Sequence, residues 1–342
     1  MQDKYTLPTL VSIGWVRTHR IKVSPEEGEA TYHCMSRTVN LEWLFDDTAK
    51  EVLRKQLWQT ADFCGVKIIT YSLLSNHFHV LVRIPRRGPI PDSELLRRYR
   101  VLHPHPSRFQ ALRLAVIEEW LRANAPEGEA WRKRMLRRMG DVSAFMKLFK
   151  QRYSIWFNRS HGRCGPLWCE RFKSVLCEGS GEVLRTMALY IDLNGVRAGL
   201  VSDPKDYRFC GYTEAVAGHN QAREGLTSVC GGKDWDETQA IYRQLLFGTG
   251  SGPRENNSNI AVDVFKMVAA SGGRLPLADA LRCRIKFLTE GAVLGSKAFV
   301  ESHLAAYQHR MGRSRNTPVR ELRCFADSEI AVMRNVHGSV FG

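Results

Sequence analysis

Two histidines stand one residue apart in Leu73-Leu74-Ser75-Asn76-His77-Phe78-His79-Val80-Leu81-Val82, a run that reads as a β-strand. Successive strand side chains point to opposite faces, so His77 and His79 share one face, while Leu74, Phe78, Val80, Val82 and Ile84 fall mostly on the other. Two imidazoles on one rigid face form a clamp for a divalent cation; two satisfied strand histidines are the plain structural alternative. Oxygen ligation suits magnesium or manganese, and imidazole tilts affinity toward manganese. A second pair, Tyr190 and Asn194, lies in Leu189-Tyr190-Ile191-Asp192-Leu193-Asn194-Gly195-Val196-Arg197, after a run whose apolar residues Val183, Leu184, Met187, Ala188 and Ile191 recur at helical steps. If the helix persists through Asn194, a phenol and an amide project from one edge, one turn apart. The competing reading makes Tyr190 a boundary aromatic with its hydroxyl in water, and Asn194 the last helical residue before a Gly195 stop.

Several further segments must position these groups. They are a strand with Tyr32-His33-Cys34-Met35-Ser36-Arg37, a helix from about Thr48 to Cys64, and Phe157-Asn158-Arg159-Ser160-His161-Gly162-Arg163-Cys164-Gly165-Pro166-Leu167-Trp168 before a strand at Arg171–Leu176. Asp203-Pro204-Lys205-Asp206-Tyr207-Arg208-Phe209 closes the region. In this order the segments resemble the HUH tyrosine transposases, in particular those associated with repetitive extragenic palindromes (REP), over much of residues 28–213. The chain departs from the family's pattern at Gly195, commonly proline, and at Leu74-Ser75, commonly methionine-proline; neither position carries a reacting group.

The resemblance implies an α+β core of ferredoxin or RRM-like type, an antiparallel sheet with helices on one face and the tyrosine helix beside the histidine strand. It further implies metal-dependent cleavage and rejoining of single-stranded DNA through a 5′-phosphotyrosine, on hairpin or palindromic DNA in transposition. Tyr190 is then the nucleophile, and His77, His79 and Asn194 hold Mg2+ or Mn2+. The physical demands agree: a phenol of pKa about 10 is a weak nucleophile near neutral pH, so a metal that polarises the phosphate is a reasonable requirement. The covalent bond conserves the energy of the cut, so no ATP is required, and no nucleotide-binding loop is found. The family includes dimers and monomers, so a homodimer is one of two expected states.

Composition points to a polyanionic partner. There are 50 Lys plus Arg against 35 Asp plus Glu, a formal charge of +15, which favours nucleic acid through counterion release. Between Trp131 and Lys173, Arg132, Lys133, Arg134, Arg137, Arg138, Lys147, Lys150, Arg152, Arg159, Arg163, Arg171 and Lys173 face only Asp141 and Glu170, and all but Lys147 are taken as DNA-binding candidates. Phe145, Phe149, Tyr153, Trp156, Phe157, Trp168 and Phe172 are interleaved with them, either to stack unpaired bases or as the buried stripe of an amphipathic helix.

The length suggests more than one domain. The expected division is a catalytic region at 1–245, interrupted by an Arg-rich helical insert at about 85–140 with a helix at Phe109–Ala123; a Gly/Ser/Asn linker at 246–260; and a small helical module at 261–342, for DNA binding or dimerisation. Periodicity from Leu275 to His309 and a cap at Ser296 mark that module. Nine cysteines form no CxxC pair, and His161, Cys164 and Cys169 lack the spacing of a zinc knuckle. The first twenty residues contain no long apolar core and no span reaches the roughly 20 apolar residues of a membrane helix, so a protein of the reducing cytoplasm without a membrane partner is expected. Two other functions compete: a domesticated hairpin-binding protein that does not cut, and a histidine-triad nucleotide hydrolase. The latter needs a third histidine in register, where this chain has Leu81.

Overall fold

The computed structural model describes residues 20–24, 26–247, 287–311, 319–321 and 330–333. Strand β1 (Ala30–Arg37) leads to helix α1 (Asp47–Cys64), which begins where the Asp46 carboxylate accepts the Ala49 N–H at 2.7 Å and stops at Gly65, whose φ of 65° a residue with a Cβ adopts only at a cost. Strands β2 (Lys67–Leu73) and β3 (His77–Ile84) follow. Helices α2 (Asp92–Val101), α3 (Arg108–Arg122) and α4 (Pro126–Leu136) form the expected insert, with α3 capped reciprocally by Ser107 and Gln110. The core resumes with α5 (Val142–Ser160) and β4 (Lys173–Cys177).

These strands pair antiparallel in the order β2-β3-β1-β4, the arrangement of a ferredoxin-like βαββαβ unit within an α+β fold. Register decides what faces what. Met35 pairs with His79, Arg37 with His77 and His33 with Leu81, so these six share one face. Cys34, Val80, Ser36 and Phe78 share the other, which α5 covers: the Phe78 and Phe149 rings lie 5.4 Å apart, and the Tyr153 hydroxyl ties α5 to α1 by donating to the Ala49 carbonyl at 3.1 Å.

The histidine face is covered as well, which extends the one-sided layout expected. Leu81 and its β2 partner Thr70 are buried on it and require a covering layer. Helix α6 (Gly181–Asp192), continued by the short α7 (Asn194–Arg197), lies across β2 and β3, followed by α8 (Gly211–Val216), α9 (Asn220–Cys230) and α10 (Trp235–Phe247). Gly225 lets α9 approach β2 closely, since a Cβ there would stand 2.4 Å from the Ile69 carbonyl oxygen.

One carboxyl group is sealed under this layer. Asp192 is fully buried, accepts from Thr70 at 2.6 Å and from the Tyr242 hydroxyl of α10 at 2.6 Å, and is pushed up to about 7 by burial, against which those donors pull. The folded carboxyl binds its proton more tightly than the unfolded one. Its stabilising contribution is therefore complete below about pH 4 and lost as pH rises through about 7, at most about 4 kcal/mol. Urea unfolding of Asp192→Asn should show a shallower decline over that window than the parent chain.

In the C-terminal part, α11 (Phe287–Glu290) precedes β5 (Val293–Ser296), α12 (Lys297–Met311), β6 (Val319–Glu321) and β7 (Ile330–Met333). The Ser296 hydroxyl caps α12, accepting the Phe299 N–H at 3.3 Å, as expected. The small helical module expected at 261–342 is corrected in one respect: its described part also brings three strands, and β5 pairs in parallel with β4, extending the core sheet in the order β4-β5-β7-β6. The physical reason is the open edge of β4, whose unpaired backbone groups need partners. Of the expected linker, 246–247 end α10 and 248–260 lie outside the described residues, as do 1–19 and the helical periodicity before 287. Among the described residues no helix is long and apolar enough to cross a membrane.

Candidate active site

His79 is buried and His77 half-buried, with ring centroids 5.3 Å apart. Their hydrogen bonds fix which nitrogen carries a lone pair. The Leu288 carbonyl can only accept, so the His33 Nδ1 that lies 2.8 Å from it bears a proton. Burial holds the His33 imidazole down to about 4, so the ring is neutral at pH 7 and its Nε2 accepts the Nδ1–H of His79 at 2.8 Å. His79 is likewise driven well below the usual imidazole range, first by burial and then by the facing His33, His77, Arg197 and Arg37. Its lone pair is therefore on Nε2. In parallel, Asn76 donates from Nδ2 to the Leu41 carbonyl at 3.1 Å, which turns its Oδ1 toward His77 Nδ1 at 2.6 Å, so that His77 Nδ1 is the donor in that contact.

Tyr190 reaches the same place from α6. Its buried ring meets His79 edge-on at 6.1 Å and His33 at 6.4 Å. The Arg197 guanidinium lies over the ring, 4.0 Å from its centroid, and donates to the Tyr190 carbonyl and, at 2.6 Å, to Asn194 Oδ1. The helical path persists from Tyr190 to Asn194 apart from a relaxed Leu193, so both lie on neighbouring turns. A cation and two imidazoles thus surround a phenol contributed more than a hundred residues downstream of the histidine strand.

Two imidazoles on one strand face, each with its Nδ1 hydrogen-bonded, are of a type that holds a divalent cation. Asn194 fits less well as third ligand, because its oxygen is held by a guanidinium that would repel a cation at the same atom. Its buried Nδ2, by contrast, has no hydrogen-bond partner and is a donor. Among the described residues no three His, Cys, Asp or Glu side chains converge on one ion position. His161 is engaged elsewhere, stacked 4.0 Å from Phe157, and Cys164 and Cys169 are exposed.

Gly195 earns its place by proximity: a Cβ there would lie 2.8 Å from Cγ of Tyr207, a buried ring whose hydroxyl donates to the Leu73 carbonyl at 2.5 Å. Gly195→Ala should cost about 1–3 kcal/mol of stability by overpacking, read as a lowered urea midpoint with unchanged slope.

The basic candidates fall into separate groups. Arg132, Lys133, Arg134, Arg137 and Arg138 lie on and just after α4 in the insert; Arg132 pairs with Asp92, Lys133 with Glu129 at 3.5 Å, and Arg138 covers Phe63, while Arg134 and Arg137 are exposed. Arg152 is half-buried and reaches Gln59. Lys150, Arg159, Arg163, Arg171 and Lys173 belong to α5, the loop after it and the start of β4. That loop crosses the ends of β1 and β3, where Thr38 bridges to Trp168, Val39 N–H donates to Leu167 and Thr38 N–H to Asn76. Lys150 is lowered to about 8 by burial and donates to the Glu170 carbonyl, Lys173 pairs with Glu170, and Arg159 and Arg171 are exposed. Phe145, Phe149, Tyr153 and Phe157 are buried, which settles them as the core stripe of α5. His33, Asn76, Arg197 and Leu288 join the candidate site although spacing alone did not single them out; for His33, an imidazole alternating with buried apolar residues on a core strand was the available signal.

No family model matches the chain, and a search of curated protein sequences finds no match. Among solved structures, the chain is similar to a REP-associated tyrosine transposase bound to a REP hairpin, at 14% identity and a TM-score of 0.33, over 64% of this chain and 87% of that one.

Proposed function

We propose that this protein is a transposase that cuts and rejoins single-stranded or hairpin DNA through a 5′-phosphotyrosine at Tyr190. The observation that carries the reading is the convergence of Tyr190 with His79 and His77 on the covered face of the sheet, under the Arg197 guanidinium. The Tyr190 oxygen attacks the scissile phosphorus and loses its proton. The bond to the 3′ oxygen breaks, and that oxygen leaves as a hydroxyl after taking up a proton. Attack by a 3′-hydroxyl on the phosphotyrosine reverses the step and joins strands. His77 and His79 would hold Mg2+ or Mn2+ through their Nε2 atoms, and such an ion supplies Lewis-acid polarisation of a phosphoryl oxygen. In place of metal ligation, Asn194 Nδ2 donates to a phosphoryl oxygen, with Arg197 beside it compensating charge.

The test is incubation of the protein with labelled single-stranded oligonucleotides from the gene's flanks, with manganese, with magnesium or with chelator, followed by denaturing electrophoresis. Metal-dependent cleavage with a slow-migrating protein–DNA band supports the proposal. Tight hairpin binding with no cleavage under any metal would assign the protein to the non-cutting class instead.

A further inference from the structure

The loop after β1 holds an aromatic side chain in solvent and is tied through Asn76 to His77. Trp43 is 84% exposed and Leu41 is 52% exposed. Burying neither is costly, since a large apolar surface left in water forgoes the stabilisation of burial. The loop is nonetheless held in shape. Asn40 and Leu41 have φ of 52° and 59°, a left-handed backbone that Leu rarely adopts. It is retained by Thr38 Oγ1 donating to the Glu42 carbonyl at 2.7 Å and by Asn76 Nδ2 donating to the Leu41 carbonyl. Asn76 is the residue that orients His77, so the loop and the metal-binding candidate share one hydrogen-bonded support.

Two guanidinium groups flank the loop among its acids Glu42, Asp46 and Asp47: Arg37 ends the strand that leads into it, opposite His77, and Arg163 lies 3.9 Å from Glu42, the neighbour of Trp43. An exposed indole on a braced loop of a chain with a formal charge of +15 is a combination that stacks an unpaired base while basic side chains neutralise the adjoining phosphates.

We infer that Trp43 is a base-stacking platform for an unpaired nucleotide next to the scissile phosphate, an assignment that rests on the DNA-cleaving reading. Its occupant is the π face of a nucleobase on a single strand. Paired bases are stacked within their duplex and offer no such face, so the contact favours unpaired substrate.

The experiment is fluorescence anisotropy of the full chain with fluorescein-labelled oligothymidylate, with an abasic oligonucleotide of equal length, and with a duplex. Trp43→Ala should weaken oligothymidylate binding about tenfold, by loss of one stacked base. Trp43→Phe should restore most of it, and neither change should alter abasic or duplex binding. Because Trp43 is exposed, the variants should keep the parent's circular dichroism and melting temperature. If the parent chain binds oligothymidylate and Trp43→Ala binds it equally well, the platform is refuted while the cleavage reading stands. An equal loss on the abasic strand would also refute it, since a phosphate contact would then explain the effect. Absence of binding by the parent chain to every strand would overturn the DNA-cleaving reading itself.

Discussion

Tyr190→Phe should bind hairpin and single-stranded DNA as the parent chain does, within about twofold, and form no covalent adduct. The substitution removes one oxygen from a ring packed against His33 and His79 and beneath Arg197, and the ring itself does the packing. Binding is expected to survive because phosphate contacts come from basic side chains elsewhere. Chemistry is expected to vanish, because a nucleophile that forms the intermediate has no substitute within the site. Gel-shift and denaturing-gel assays on the same samples separate the two. Residual cleavage in this variant at a tenth of the parent rate or more would mean that water or another side chain attacks.

The second large effect concerns a residue that never touches DNA in this account. His33 accepts from His79 and donates to Leu288, so it sets the tautomer that places the His79 lone pair on Nε2. Loss of such an orienting partner weakens metal binding by about 10–100-fold. The two amide replacements part the two hydrogen bonds. His33→Asn keeps a donor near the Nδ1 position, toward Leu288, and loses the acceptor for His79; His33→Gln reaches the Nε2 position and can keep that acceptor. Manganese titration followed by electron paramagnetic resonance should show weak binding in the Asn variant and substantial recovery in the Gln variant. Equal affinity in both, each folded by circular dichroism, would leave His33 with a packing role only.

The contrast between the two residues shows what the sequence discloses. His77 and His79 announce a shared face because strand periodicity is two, and Tyr190 and Asn194 announce neighbouring turns because helical neighbours recur at four. Helix α3 was legible for the same reason, from its apolar spacing, whereas α1 and the α+β sheet were expected from the family resemblance. His33 meets His79 across 46 residues and Leu288 across 255, and no local pattern encodes such a contact. The strands of the C-terminal part are three or four residues long, too short for an alternation to register. A count of acids between Trp131 and Lys173 could not foresee that Asp92 and Glu42 would be brought in from other elements to face Arg132 and Arg163. Asn194 illustrates a different limit. Its spacing from Tyr190 was readable, but that Arg197 takes its oxygen and leaves its buried Nδ2 without a partner was not.

The most direct measurement is mass spectrometry of the proteolysed adduct formed with a single-stranded oligonucleotide and manganese. The account predicts one modified peptide containing Tyr190, its mass increased by the 5′-phosphorylated fragment, absent when chelator is added. A modification on any other tyrosine, or cleavage products with no modified peptide, would contradict it.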